Sequence, residues 1–436
     1  MFEKDGSVWE IIISSVERNP GLEALSLRYF PQPRMLGVDL LSTYKRLLEP
    51  LRALTTLDLM VTQSVDDEVF LYIARFAKQL QRLFFTFGLI TSEKRGYTQD
   101  GIDTVMIDRT RLKELELISA TFSHDHRYLT LFLKASPELE KWRLPSVNPK
   151  VAEEIVAVLR QFCPKLREIC LDGASSTLED NLLAGFIDSC RPSGLRSFRI
   201  SFPPGKDNFG PQCMGRLCAT STTLEIVRIP VLGSSGLATL QHILSSCPNL
   251  RELSVLNDPC YDGIESEAIF AQDILKQPWI TIKLEILRLP LTDVHAGEGK
   301  IQDKDYQLDF IDQLAKLTRL QLLDLTIPIW SNGEPYTSPL FSLQYGLHLL
   351  EGLKELRLLI LESHCNGVGR QELEWMCKHW PRLERIRDIH IVTAERWWSS
   401  WNGCGSNDTV MPMRIRSILT KSNPKEICYG TEAFDL

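Results

Sequence analysis

Apolar residues recur along this chain in a six-position pattern, Leu-x-x-Leu-x-Leu, with conservative exchanges and polar residues between them. Leu112-Leu115-Leu117, Leu250-Leu253-Val255 and Leu284-Leu287-Leu289 carry it most plainly. Leu80-Leu83-Phe85, Leu139-Trp142-Leu144 and Leu195-Phe198-Ile200 carry it with aromatic or β-branched substitutes. The first apolar position falls at residues 22, 54, 80, 112, 139, 166, 195, 224, 250, 284, 320, 353 and 383, a mean spacing of about 30 residues. Alternation with period two predicts a short strand at each site, with the leucines on one face and the residues between them on the other.

The segments between these strands carry helical spacing instead. Val151, Ile155, Val158 and Leu159 form a stripe at i, i+4, i+7 and i+8, which predicts an amphipathic helix over Val151 to Phe162. Leu237 to Leu244, Ile269 to Leu275 and Leu308 to Leu317 read the same way, and Val8 to Val16 reads as the last helix of a repeat. Asp66, Asp180 and Ser234 are expected helix caps. Pro137, Pro164, Pro248 and Pro381 fall just before the next strand, where proline stops the helix and sets up extended chain.

One strand–helix unit is too small to bury its own apolar face, so units of this kind stack on their neighbours. The expected fold is therefore an α/β leucine-rich-repeat solenoid, a right-handed horseshoe with a parallel sheet on its concave side and helices on its convex side. About 12–13 repeats span residues 1–395, and residues 396–436 form a C-terminal capping segment. Insertions interrupt the period at Thr292 to Tyr306, Trp330 to Leu340 and Trp397 to Asn407. The aromatic run Trp397-Trp398-Ser399-Ser400-Trp401 either covers the open end of the array or binds a partner.

The segments CPKL (163–166) and CPNL (247–250), with the variants NPGL (19–22), SPEL (136–139) and WPRL (380–383), resemble the cysteine-containing repeats of F-box leucine-rich-repeat proteins. Similar coils occur in ribonuclease-inhibitor-like proteins. The position after the strand, where that pattern has Asn or Cys, holds Ala120, Ala174, Pro203, Leu232 and Thr292 in five repeats. The resemblance implies a receptor that holds a target on its repeats and reaches a ubiquitin-ligase adaptor through an F-box placed ahead of them. Helix and first strand follow Met1 so closely that no F-box is visible. A stand-alone inhibitor or scaffold of the ribonuclease-inhibitor type is the alternative.

Composition narrows the class of partner. A net charge of −7, spread without long single-sign blocks, argues against a general nucleic-acid binder. Apolar stretches such as Glu10 to Val16 and Leu356 to Leu361 fall far short of the roughly 20 residues that span a bilayer, so no membrane partner is expected. Eleven cysteines, several inside apolar helical patterns (Cys163, Cys190, Cys247), point to a reducing compartment, cytoplasm or nucleus.

The residue between the second and third apolar positions is expected at the centre of the concave sheet. Down the strands it is Ser26, Asp58, Phe84, Glu116, Arg143, Cys170, Arg199, Arg228, Ser254, Arg288, Asp324, Arg357 and Arg387. The column thus begins without a base and ends with Arg143, Arg199, Arg228, Arg288, Arg357 and Arg387 as candidate partner-binding residues. Two readings stay open. Nearby acids (Glu140, Glu168, Glu225, Glu252, Glu285) neutralise the arginines, or the column binds an acidic or phosphorylated peptide, since guanidinium forks fit carboxylate and phosphate.

No catalytic residue, cofactor or metal is expected. His124 and His126 flank Asp125 at a spacing that does not share a helix face. Cys377 and His379, beside Trp375 and Trp380, read as packing and surface residues, and Cys213 and Cys218 as core. Neither a nucleophile elbow nor a phosphate-cradling loop occurs, so the chain reads as a protein-recognition module and not an enzyme.

Overall fold

The computed structural model describes residues 5–27, 45–66, 69–91, 109–118, 121–122, 127–144, 148–172, 178–201, 210–230, 234–256, 269–270, 274–292, 304–326, 341–361 and 368–387. The chain falls into two compact units, Met1–Leu224 and Glu225–Leu436. The first holds strands β1 (Ala24–Leu27), β2 (Thr56–Asp66), β3 (Arg82–Thr91), β4 (Glu114–Ile118), β5 (Thr121–Phe122), β6 (Lys141–Leu144), β7 (Glu168–Asp172) and β8 (Ser197–Ser201). Its helices are α1 (Asp5–Glu17), α2 (Val69–Phe76), α3 (Arg127–Lys134), α4 (Pro149–Phe162), α5 (Asp180–Ser189) and α6 (Pro211–Ala219). Strands β1, β2, β3, β4, β6, β7 and β8 pair in that order, all parallel, while β5 extends the edge of β3.

The second unit repeats the plan with β9 (Ile226–Pro230), β10 (Glu252–Leu256), β12 (Ile286–Arg288), β14 (Leu322–Asp324), β15 (Leu358–Ile360) and β16 (Arg385–Arg387), again parallel and in order. A separate two-stranded pair joins β11 (Ile269–Phe270) to β13 (Leu291–Thr292). Its helices are α7 (Ser234–Ser246), α8 (Lys304–Ala315) and α9 (Arg370–His379), with 3-10 turns at Leu343–Tyr345 and Leu347–Gly352. Parallel strands in sequence order, joined through helices or short turns, make each unit an α/β leucine-rich-repeat solenoid.

The repeat is legible in its hydrogen bonds. In most repeats the carbonyl of the residue three places before the first leucine accepts from that leucine: Leu166 N to Cys163 O and Leu250 N to Cys247 O at 3.2 Å, Leu383 N to Trp380 O at 3.1 Å. Each expected helix-stopping proline is the second residue of this turn, where its fixed φ suits the geometry. Next, the residue after the first leucine offers its carbonyl to two amides of the following repeat. Glu140 O takes Arg167 N and Glu168 N at 2.9 and 3.0 Å, and Glu285 O takes Gln321 N and Leu322 N at 2.7 and 3.1 Å. After the first repeat, whose Leu22, Leu25 and Leu27 are half-buried, the three apolar positions are buried, as at Leu112, Leu115 and Leu117, each at 0% exposure. Each such leucine contributes about 1.5–3 kcal/mol over an exposed one.

This ladder corrects one strand. Arg357 N and Leu358 N both donate to Gln321 O, at 2.8 and 3.0 Å, so the first leucine of that repeat is Leu356 and not Leu353. Leu353 fills the turn position that Cys163 and Cys247 fill elsewhere, with Leu356 N donating to its carbonyl at 3.2 Å. The strand slides by three residues, and Leu359 and Leu361 are its inward pair.

Two helix expectations also change. Ile269–Phe270 is a strand, not the start of a helix, because its backbone pairs with Leu291–Thr292. Asp66 is the last residue of strand β2. Asp180 opens α5, whose cap, Glu179, makes no side-chain bond. The Asp180 carboxylate caps the next helix instead: Oδ1 accepts from Gly210 N at 3.0 Å and Cys213 N at 2.8 Å, and Oδ2 from Gln212 N at 2.9 Å. A Cβ at Gly210 would lie 2.7 Å from this carboxylate, which explains glycine there.

The described cysteines are free thiols, and Cys163, Cys190, Cys213 and Cys247 are buried. Burial pushes the Cys163 thiol up to about 12. Cys218, expected in the core, is half-buried. Alkylation of the native protein with iodoacetamide at pH 8, read by peptide mass spectrometry, is expected to modify Cys218 and Cys377 well before Cys163. The folded state holds the Cys163 proton more tightly than the unfolded chain does. The stability this contributes is present below pH 9 and is lost as pH rises toward 12.

Candidate partner-binding face

With the leucines turned into the core, the alternate residues of each strand stand on the opposite, open face of the sheet. In the first unit the pairing aligns Ser26, Asp58, Phe84, Glu116, Arg143, Cys170 and Arg199 across successive strands. In the second it aligns Arg228, Ser254, Arg288, Asp324, Ile360 and Arg387. Five of the six candidate arginines therefore occupy the central column of their unit. Arg357 does not, because the three-residue slide puts it at the foot of β15 and Ile360 in the column.

The five differ in what they touch. Arg143 is 3.3 Å from Glu116 on the strand beside it, and Lys141 Nζ is 2.5 Å from the other oxygen of the same buried carboxylate. Arg228 forms a two-pronged pair with Glu252, whose second bond is 3.2 Å, and Ser254 Oγ donates to the same carboxylate at 3.2 Å. These two arginines are neutralised in place, as the first reading expected.

Arg199 and Arg288 are different. Each has a buried Nε with no hydrogen-bond partner, and neither forms an ion pair among the described residues. Among the described residues, no acid pairs with either guanidinium. Glu140 and Glu285, expected as partners for the column, pair instead with Arg167 and Arg251 at the feet of their strands, at 3.1 and 3.0 Å.

Asp324, placed in the column but not among the acids expected to neutralise it, is the acid nearest in register to Arg288. Asp324 stands directly opposite it in the β12–β14 register. Its Oδ1, however, accepts from Thr326 N at 3.1 Å and Thr326 Oγ1 at 2.7 Å. The spacing Asp-x-Thr, in which a side chain bonds its own backbone two residues on, was the available signal.

Elsewhere the described residues offer little chemistry. None of them forms a group of three or more His, Cys, Asp or Glu side chains fit to hold a metal ion. His124, Asp125 and His126 lie outside the described residues, as do the Trp397–Trp401 run, the capping segment 396–436, and most of the insertions. The His379 ring stacks on Trp375 at 4.6 Å and meets Glu351 at 3.2 Å. No helix among the described residues is long and apolar enough to cross a membrane.

No protein-family model matches the chain, and no curated protein matches it. Among solved structures it is similar to a chain in the crystal structure of the Rad7 and Elc1 complex in yeast. The two share 14% identity with a TM-score of 0.48, over 89% of this chain and 83% of that one. That likeness is one of outline and carries nothing about what this chain binds.

Proposed function

We propose that this protein is a non-catalytic recognition module that holds an acidic segment of a partner protein on the open face of its sheet. The observation that carries the reading is Arg288, a guanidinium at the centre of that face with a buried, unpartnered Nε. A charge left without a counter-ion is costly where it is desolvated, and an external carboxylate or phosphate supplies the missing partner. Arg199 stands in the same condition in the first unit.

The resemblance of the Cys-Pro turns to F-box leucine-rich-repeat proteins extends this proposal to a substrate receptor of a ubiquitin ligase, working in the cytoplasm or nucleus. The test is affinity purification from the native organism with mass spectrometry, comparing wild type with Arg288→Glu. Arg228→Glu is less suitable, because it sets a second negative charge against buried Glu252. A protein captured by wild type and lost from the variant, with the melting temperature unchanged, is the expected result. Equal capture by both refutes the reading. A ligase adaptor and cullin among the captured proteins supports the receptor version, whereas one stoichiometric partner without them contradicts it.

A further inference from the structure

Among the described residues Arg288 has no ion-pair partner although acids flank it on both sides, and each of those acids is engaged elsewhere. On the β10 side, Glu252 is taken by Arg228 and by Ser254. On the β14 side, Asp324 lies in direct register, on a strand about 4.8 Å away, well within reach of an arginine side chain. Thr326 is what occupies it, closing a loop from backbone amide and hydroxyl onto one carboxylate oxygen.

We propose that Thr326 is a positioning residue that holds Asp324 off Arg288, keeping Arg288 as an oxyanion-reading site for a carboxylate or phosphate of the bound partner. The inference rests on the binding face described above and adds how its key position is kept open. Without the hydroxyl, Asp324 keeps only the backbone bond and is free to turn toward the guanidinium opposite. It then competes with the incoming anion as an internal counter-ion. Nothing else on the flanking strands performs this separation, because Ser254 is buried and committed to Glu252.

The test uses the full-length protein labelled with 15N-arginine, following the Nε–H resonance of Arg288, assigned by its loss in Arg288→Lys. Sodium phosphate and sodium acetate are titrated separately at constant ionic strength. Saturable movement of that resonance with phosphate alone assigns the site to phosphate, and movement with acetate assigns it to carboxylate. Thr326→Val is expected to weaken the response by about tenfold, the size of one charge-assisted hydrogen bond's competition. Asp324→Asn is expected to restore it in the double variant, since Thr326 acts only through that carboxylate. The inference is overturned if Thr326→Val leaves the titration unchanged, or if the double variant is as weak as Thr326→Val alone. It is also overturned if the wild-type resonance responds to neither anion. Loss of partner capture in Arg288→Glu alongside that last result would leave the binding face standing and remove only this account of it.

Discussion

Trp380→Ala is expected to cost about 3–5 kcal/mol of stability, the usual range for emptying a buried tryptophan site. The residue that ends each helix before the turn is small in several repeats (Ser136, Cys163, Cys247), but here it is the largest side chain available. Trp380 is fully buried, meets Trp375 edge-to-face at 5.6 Å, and donates from Nε1 to Leu350 O at 2.8 Å. Truncation therefore leaves a cavity and removes one of the two bonds that Leu350 O accepts, the other coming from Leu353 N at 3.1 Å. Trp375→Ala is the control, since that ring is half-buried, stacked on His379 and set against the edge of Trp380. Urea unfolding followed by circular dichroism measures both. A loss below about 1 kcal/mol for Trp380→Ala would contradict the packing described.

The second large effect is at Asp180. Its carboxylate satisfies three of the backbone amides that open α6, about 30 residues further along the chain. Asp180→Ala is expected to cost about 2–3 kcal/mol, the upper range for a lost cap, because the bonds are charge-assisted. The same unfolding experiment reads it. Asp180→Asn keeps one acceptor oxygen and is expected to fall between the two. If Asp180→Ala costs no more than Glu179→Ala, whose side chain caps nothing, the inter-repeat cap contributes nothing.

Most of the fold was legible because burial in this architecture is periodic. A leucine facing inward every second residue of a strand, with the strand recurring about every 30 residues, leaves few alternatives. The slide at Leu353 shows the limit. Leu353-Leu356-Leu358 and Leu356-Leu359-Leu361 both satisfy the pattern, and only the neighbouring strand decides between them. The same ambiguity exists at Leu317-Leu320-Leu322, where the chosen register, Leu320-Leu323-Leu325, agrees with the β12–β14 pairing. Leucine at the turn position, in place of Cys or Ser, is what makes both repeats ambiguous.

The face was less legible than the core, and for a physical reason. Sequence periodicity places a side chain on a face but says nothing about which acid reaches which base. Glu252, two positions out of register with Arg228, pairs with it across one strand, whereas Asp324, in direct register with Arg288, bonds its own Thr326. Asp180 was expected to start its own helix, and its reach to the next repeat has no local signature. The column of arginines was visible; the two that lack a partner were not.

Partner capture by three proteins side by side tests the central claim most directly: wild type, Arg288→Glu and Arg357→Glu. Both variants reverse one exposed or half-buried arginine of the second unit, but only Arg288 stands in the central column. The account predicts that Arg288→Glu loses the partner while Arg357→Glu retains it, with melting temperatures equal. Retention by Arg288→Glu, or equal loss from both variants, would contradict it.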